Sequence, residues 1–330
     1  MMKPAIYFNE LDDDVLQCML CPNKCVIKPG QVGICKARKN IKGMMYSLNY
    51  GELTSIAMDP IEKKPLYHYY PGSEILSVGS WGCNLQCDFC QNWEISKQRP
   101  KTINRVIPDQ LIEIAKSRES FGLAFTYNEP TVFFEFILDT ARNAIREGIE
   151  IVLVTNGYIE EEPLGLLVQS VNAMNIDLKG WNSELYRKLG GEKKYVMKTI
   201  EKALEAGIHV ELTTLVIPGE NDSTEDMAEE VRWISSLSPD VPLHITRYYP
   251  AYKYDKPATP LETLTRLWEI AREQLNYVYL GNIPATNESN TYCPSCGALL
   301  IERSGYSIEV KNLDEEGRCS KCGKEIPVIL

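Results

Sequence analysis

Eleven cysteines in three tight groups constrain this chain more than its hydropathy does. Cys18, Cys21, Cys25 and Cys35 form the first group, Cys83, Cys87 and Cys90 the second, and Cys293, Cys296, Cys319 and Cys322 the third. The total is odd, and the acidic start MMKPAIYFNELDDD has no apolar stretch that reads as an export signal. The spacings are those of metal ligands. Metal thiolates in a reducing compartment therefore outweigh disulfides, and a cytoplasmic location is the expectation. With only His68, His209 and His244 as imidazoles, any metal is held mainly by sulfur. The net charge of −10 argues against a general electrostatic grip on nucleic acid. No run of about 18 apolar residues is present to span a bilayer.

From residue 74 onward the chain alternates strand-like and helix-like segments. Strands are expected over 75–79, 123–126, 151–155, 174–178, 209–217, 243–247 and 277–280. Helices are expected from Pro108, over 131–147, near 160–169, and over 193–206, 224–237 and 261–275. Proline at helix starts and glycine just past the ends support these limits. Repeated strand–helix units with short connections build a parallel sheet covered by helices. Six or seven strands are too few for a closed eight-stranded barrel. The expected fold is thus α/β, a partial (β/α)6-type barrel. Loops that follow strands then share one mouth: the Cys83–Cys90 loop, 128–129, 156–157, 178–179 and 218–219. Residues 1–72 read as an N-terminal Cys-rich extension with a hairpin through 45–51, residues 73–288 as the barrel, and 289–330 as a four-Cys metal ribbon.

Each thiol group has a chemistry. Cys83, Cys87 and Cys90 have a C-x3-C-x2-C spacing and no fourth neighbour. They are either a zinc knuckle that borrows a distant cysteine or the ligands of a [4Fe-4S] cluster with one iron left open. Cys293, Cys296, Cys319 and Cys322 make two C-x2-C-G knuckles, a closed tetrahedral site for zinc, or for iron as in rubredoxin. Cys18, Cys21, Cys25 and Cys35 suit zinc or a second [4Fe-4S] cluster.

A C-x3-C-x2-C loop directly after the first strand of a βα series resembles the radical S-adenosylmethionine (SAM) motif. The resemblance implies an enzyme whose open iron binds the methionine end of SAM. Reductive cleavage then gives a 5'-deoxyadenosyl radical that abstracts hydrogen from a substrate. It places Phe89 against the adenine. Glu129, in Thr126-Tyr127-Asn128-Glu129-Pro130, stands where activating enzymes carry Gly-Gly-Glu-Pro and would meet the SAM amino group, with Tyr127 and Asn128 in place of the glycines. Alternatively, Glu129 is a helix-start acid. Thr155-Asn156-Gly157 and Asp177-Leu178-Lys179 resemble cofactor-binding stretches of the pyruvate formate-lyase activating enzymes, though Val154 replaces the acid that would complete a cation site. Asp177 meets SAM or is a buried, paired carboxylate. His244 and Arg247 either bind SAM's ribose or carboxylate or serve as a core imidazole and an ordinary ion pair.

Together with Cys21-Pro22, 59–65, 90–93, 126–130 and 219–222, the match extends over about 18–285 and resembles the AmmeMemoRadiSam radical SAM family. That resemblance implies Memo-type and AMMECR-type partners. The activating-enzyme likeness implies a polypeptide substrate and a low-potential electron donor of flavodoxin or ferredoxin type. The rival readings are a non-catalytic metal-binding interaction module, which leaves the three-Cys loop unexplained, and radical SAM modification of RNA or a small molecule. The segment 59–72 reads on its own as a surface loop ordered by prolines.

Overall fold

The computed structural model describes residues 2–284 and 286–330. Eight strands form the central sheet: β1 (Ser55–Pro60), β2 (Glu74–Gly79), β3 (Gly122–Phe125), β4 (Glu150–Thr155), β5 (Ala173–Asp177), β6 (His209–Val216), β7 (Leu243–Arg247) and β8 (Val278–Gly281). They neighbour one another in strict chain order, and β1 and β8 are the two edges. From β2 to β8 every pair is parallel; β1 pairs antiparallel with β2 from Ser55↔Gly79 to Pro60↔Glu74. The C-terminal ends of the parallel strands therefore lie on one side, as the alternating pattern requires.

Besides a single turn at Trp93–Ser96, the helices are α1 (Pro108–Ser117), α2 (Phe134–Glu147), α3 (Glu161–Leu167), α4 (Ser183–Lys188), α5 (Lys193–Glu205), α6 (Thr224–Leu237) and α7 (Leu261–Arg272). All but α4 and that turn follow the sequence signals. Pro108 takes the first helical position of α1, and Gln110 Oε1 accepts from Ile107 N at 3.0 Å. Gly148 ends α2 in the left-handed conformation at φ +65°, where an L side chain would be strained. The expected start of α2 at 131 is instead a 3-10 turn, Pro130–Phe133, because Glu129 caps that turn by accepting from Thr131 N.

Alternation along the strands divides the sheet into two chemistries. Leu123, Phe125, Ile151, Leu153, Met174 and Ile176 share one large core with the helices. The other face carries Ser77, Asn175, Glu211, Thr213 and His244, all buried. Segment 61–72 lies against that polar face. Asn175 Nδ2 donates to Pro65 O at 2.8 Å, and Glu211 accepts from Tyr67 N at 3.0 Å and His68 N at 2.7 Å. This segment is therefore not the surface loop its prolines imply. Ile61, Leu66 and His68 are fully buried, and Lys64 is 1% exposed because Asp59 Oδ2 sits 2.6 Å from its ammonium.

Two small three-stranded sheets build the N-terminal part, one from Phe8–Glu10, Leu16–Cys18 and Val26–Ile27, the other from Lys3–Pro4, Met44–Ser47 and Arg38–Ile41. The hairpin expected through 45–51 turns earlier, at Lys42 and Gly43, both with positive φ. A third small sheet, Thr291–Tyr292, Leu299–Ser304 and Ser307–Val310, carries the C-terminal cysteines. It packs on Tyr67, Tyr277 and Tyr279. The expected boundary at 72/73 is not a break in the sheet, since β1 precedes it and pairs with β2.

Candidate functional site

The loop after β2 is fixed by amides. Asn128, in the loop after β3, accepts from Ser80 N at 2.8 Å and donates to Gly82 O at 3.0 Å. Asn84 donates to Tyr158 O at 2.6 Å and accepts from Asn156 Nδ2 at 2.9 Å. Gly82 has φ +94°, and a Cβ there would lie 2.6 Å from Cys35 O, so only glycine allows this approach of the first two cysteine groups.

In that loop Cys87 is buried and Cys83 and Cys90 are partly buried. Leu85 N donates to Cys83 Sγ at 3.4 Å, Asn156 Nδ2 lies 3.7 Å from the same sulfur, and Cys90 Sγ is 3.1 Å from Ser96 Oγ. Burial pushes the Cys83 and Cys87 thiols up, helped at Cys83 by Glu129 and opposed at Cys87 by Lys179 and Lys97. Three thiols on one short loop, with Lys179 and Lys97 beside Cys87, fit the donor set of a thiolate-bound metal centre.

Three carboxylate and amide groups surround them. Glu129 is buried and accepts three hydrogen bonds: from Thr131 N (2.9 Å) and Thr155 Oγ1 (2.7 Å) on one oxygen, and from Asn156 N (2.8 Å) on the other. Burial raises its carboxyl against these donors. Thr155 and Asn156, at the end of β4, are thereby tied to the loop after β3 and, through Asn84, to the cysteine loop. At the end of β5, Asp177 Oδ2 lies 2.8 Å from Lys179 Nζ. Burial alone would lower the Lys179 ammonium, but Asp177 and Cys87 beside it hold it well above the usual range. Phe89 is buried on the other side of the cysteine loop, edge-on to Tyr254 at 6.2 Å, in a small pocket shared with Leu185, Lys188 and Glu220.

The other two expected SAM contacts lie apart. His244 Nε2 is 2.6 Å from Glu211 Oε2, and its ring meets Tyr67 edge-on at 4.6 Å. Glu211 also takes His209 at 3.0 Å. His244 is thus a buried, paired imidazole, the second of the two roles its sequence position allowed. Arg247, at the end of β7, donates from Nε to Thr259 O at 2.7 Å and from Nη1 to Tyr249 OH at 3.2 Å. Among the described residues neither side chain makes a hydrogen bond to the cysteine loop, Glu129 or Asp177.

Sequence reasoning missed Asn84 and the group formed by Asp59, Lys64 and Tyr127, and placed Asn128 and Lys179 at the mouth without giving either a role. Tyr127 OH donates to Asp59, and the Lys64 ammonium lies 4.7 Å from the Tyr127 ring centre. The clue available was position: Asn128 and Lys179 each sit just past a strand.

The two outer thiol groups differ in shape. Cys293, Cys296, Cys319 and Cys322 bring all four sulfurs within 4.8 Å of one another, with Cys293–Cys322 at 3.5 Å and Cys296–Cys319 at 3.7 Å. Cys18, Cys21, Cys25 and Cys35 instead line one cavity together with Leu20, Val132 and Arg38.

Residues 79–231 match the Radical SAM superfamily model. An uncharacterised protein of Methanocaldococcus jannaschii is 43% identical over 336 residues, covering 100% of both chains. Pyruvate formate-lyase 1-activating enzyme of Escherichia coli strain K12 is 25% identical over 165 residues, 46% of this chain and 65% of that enzyme. A radical SAM methyltransferase from Sphaerobacter thermophilus shares the fold with a TM-score of 0.51 at 16% identity, covering 84% of this chain and 76% of that one. Residues 79–231 belong to the radical SAM superfamily. Membership implies an enzyme that uses a [4Fe-4S] cluster and SAM, and relatives occur among the pyruvate formate-lyase activating enzymes. No helix of the described residues is long and apolar enough to cross a membrane.

Proposed function

We propose that Cys83, Cys87 and Cys90 hold the [4Fe-4S] cluster, that SAM binds beside it, and that hydrogen is abstracted from a polypeptide substrate as in glycyl-radical activation. The observation that carries this reading is that the cysteine loop, Glu129, Thr155, Asn156 and Asp177 all stand at the C-terminal ends of neighbouring parallel strands, with Asn156 Nδ2 3.7 Å from the Cys83 sulfur. The chemistry such a group supplies when bound is one-electron cleavage of the SAM sulfonium to methionine and a 5'-deoxyadenosyl radical.

The protein's own residues bind and orient. Glu129 is a positioning residue: both its oxygens already bind donors, so it shapes the loop that receives the SAM amino group. Asn156 links that loop to the Cys83 sulfur. Asp177 and Lys179 present a fixed ion pair toward the methionine end of SAM, and Phe89 offers an apolar ring to the adenine. Segment 61–72 fills the polar face of the sheet and keeps bulk water from the reacting centre. Arg247, already hydrogen bonded at its strand end, is the outermost candidate for a ribose or carboxylate contact.

The sheet is read as a partial barrel open between β8 and β1, with units at 1–72, 73–288 and 289–330. Zinc at the C-terminal four cysteines fits sulfurs 3.5 and 3.7 Å apart, since a zinc–sulfur bond of about 2.3 Å in a tetrahedron separates sulfurs by about 3.8 Å. Electrons come from a low-potential carrier of flavodoxin or ferredoxin type, in the cytoplasm. Memo-type and AMMECR-type proteins are the partners this reading names. Anaerobic reconstitution followed by dithionite and SAM tests it: 5'-deoxyadenosine should form, and Cys87→Ala should abolish it. Reconstituted protein that binds iron yet never cleaves SAM would refute the reading.

A further inference from the structure

We propose that Cys18, Cys21, Cys25 and Cys35 hold a second iron–sulfur cluster that passes single electrons to the cluster at Cys83, Cys87 and Cys90. The relay half rests on the reading of the Cys83 loop given above; the identity of the N-terminal group does not.

Four observations carry it. The first is spacing. The C-terminal thiols close to within 4.8 Å of one another, and among the described residues the N-terminal four are not drawn together in that way. They surround a cavity with apolar walls at Leu20, Ile27 and Val132. A single zinc ion pulls its sulfurs to about 3.8 Å, whereas a cube of irons and sulfides holds its thiolates farther apart and fills the space between them.

The second is an orphan donor. Arg38 lines the same cavity and is 1% exposed. Its terminal nitrogens are taken: Nη1 lies 2.8 Å from Glu135 Oε1 and 3.3 Å from Ile6 O, and Nη2 donates to Glu135 Oε2 at 3.0 Å. Its Nε–H has no partner. A buried N–H is costly to leave unmet, and a cluster sulfide or thiolate supplies the acceptor.

The third is contact. A Cβ at Gly82, the residue before Cys83, would meet Cys35 O at 2.6 Å, and Asn23 Nδ2 donates to Asn84 O, the residue after it, at 2.8 Å. The two ligand loops touch, with one hydrogen bond between Asn23, two residues past Cys21, and Asn84, the neighbour of Cys83. The fourth is Thr131, which lines the N-terminal cavity and donates to Glu129, so one turn serves both sites.

The step is a simple electron transfer. A reduced one-electron carrier of flavodoxin or ferredoxin type loses one electron, the N-terminal cluster gains and then loses it, and the Cys83 cluster is reduced by one.

The test uses the full chain, reconstituted anaerobically, with Cys83→Ala, Cys87→Ala and Cys90→Ala combined. It should keep about four irons beyond any at the C-terminal site and show a dithionite-reduced paramagnetic signal that SAM does not alter. Zinc in their place, or no more iron than a mononuclear site holds, overturns the proposal. If that variant does not fold, Arg38→Lys in the otherwise native chain keeps a cation for Glu135 and removes the Nε–H. It should move a SAM-insensitive signal to more negative potential and leave the SAM-sensitive one in place; an unmoved potential, or no SAM-insensitive signal, overturns it. Loss of the SAM-sensitive signal in native protein would instead sink the reading of the Cys83 loop.

Discussion

His244 shows how a residue's partners decide its role. Its place on the sixth strand of the βα series made a cofactor contact plausible from sequence alone. Yet it faces Glu211, which also accepts from His209 and two backbone amides. Burial alone would raise the Glu211 carboxyl; the two histidines hold it well below the usual carboxylate range. His244→Gln should therefore destabilise the fold by about 1–3 kcal/mol, through a weakened buried carboxylate, while 5'-deoxyadenosine yield per folded molecule stays unchanged. A thermal melt and a product assay on the same sample check both halves. The contrast with Glu129 is instructive. Its place just past a strand was readable, and it does lie beside the cysteine loop, but its two oxygens are spent on Thr131, Thr155 and Asn156. Sequence position gave its neighbourhood; only the fold gives its hydrogen bonds. Asn84 left no signal, and Asn128 only its position, because an amide that clamps a loop has no periodicity to detect.

At the scale of elements, the helices and parallel strands were legible because period and end signals agree in them. Strand β1 was not: its Asp59 and Pro60 are poor strand formers, and its pairing with β2 is set by tertiary contacts. Segment 61–72 was misread for a related reason. Its prolines read as a surface loop, and only the Asp59 carboxylate at 2.6 Å makes a buried Lys64 tolerable. Helix α6 carries a further buried acid, Glu230, which accepts from Thr214 Oγ1 at 2.5 Å on β6. Burial raises it to about 7. The folded protein thus holds this proton more tightly than the unfolded chain. Stability from Glu230 is complete below the ordinary value of 4.5 and falls as pH rises toward about 7. Glu230→Gln should flatten that part of the stability–pH curve, measured as the midpoint temperature at pH values on either side of the window. A curve identical to the native one would show that Glu230 is already ionised.

For the whole molecule, the C-terminal module and segment 61–72 are one mechanical unit. Tyr70 N donates to Ile329 O at 2.7 Å and Ile329 N to His68 O at 2.8 Å. Arg303 donates to Tyr67 O at 2.7 Å and stacks over the Tyr67 ring at 4.3 Å. If the four sulfurs of Cys293, Cys296, Cys319 and Cys322 hold a metal, losing it should loosen a segment that lies against the polar face of the central sheet. Hydrogen exchange should rise at 67–70 when the two knuckles are mutated to serine, with little change at α2 or α5. Equal exchange in both proteins would mean that the module holds its shape without metal. The domain plan drawn from the sequence places cuts at 72 and 288, and the first falls between two paired strands, because composition marks where βα repetition begins and not where the sheet ends.

The central claim is that three thiolates hold an iron–sulfur cluster with one corner free for SAM. Paramagnetic resonance of the dithionite-reduced protein, recorded before and after SAM is added, tests it most directly. A change in the cluster spectrum on adding SAM, absent from Cys83→Ala, is the predicted result. A reduced cluster whose spectrum ignores SAM, or a native protein with no such cluster, would contradict the account.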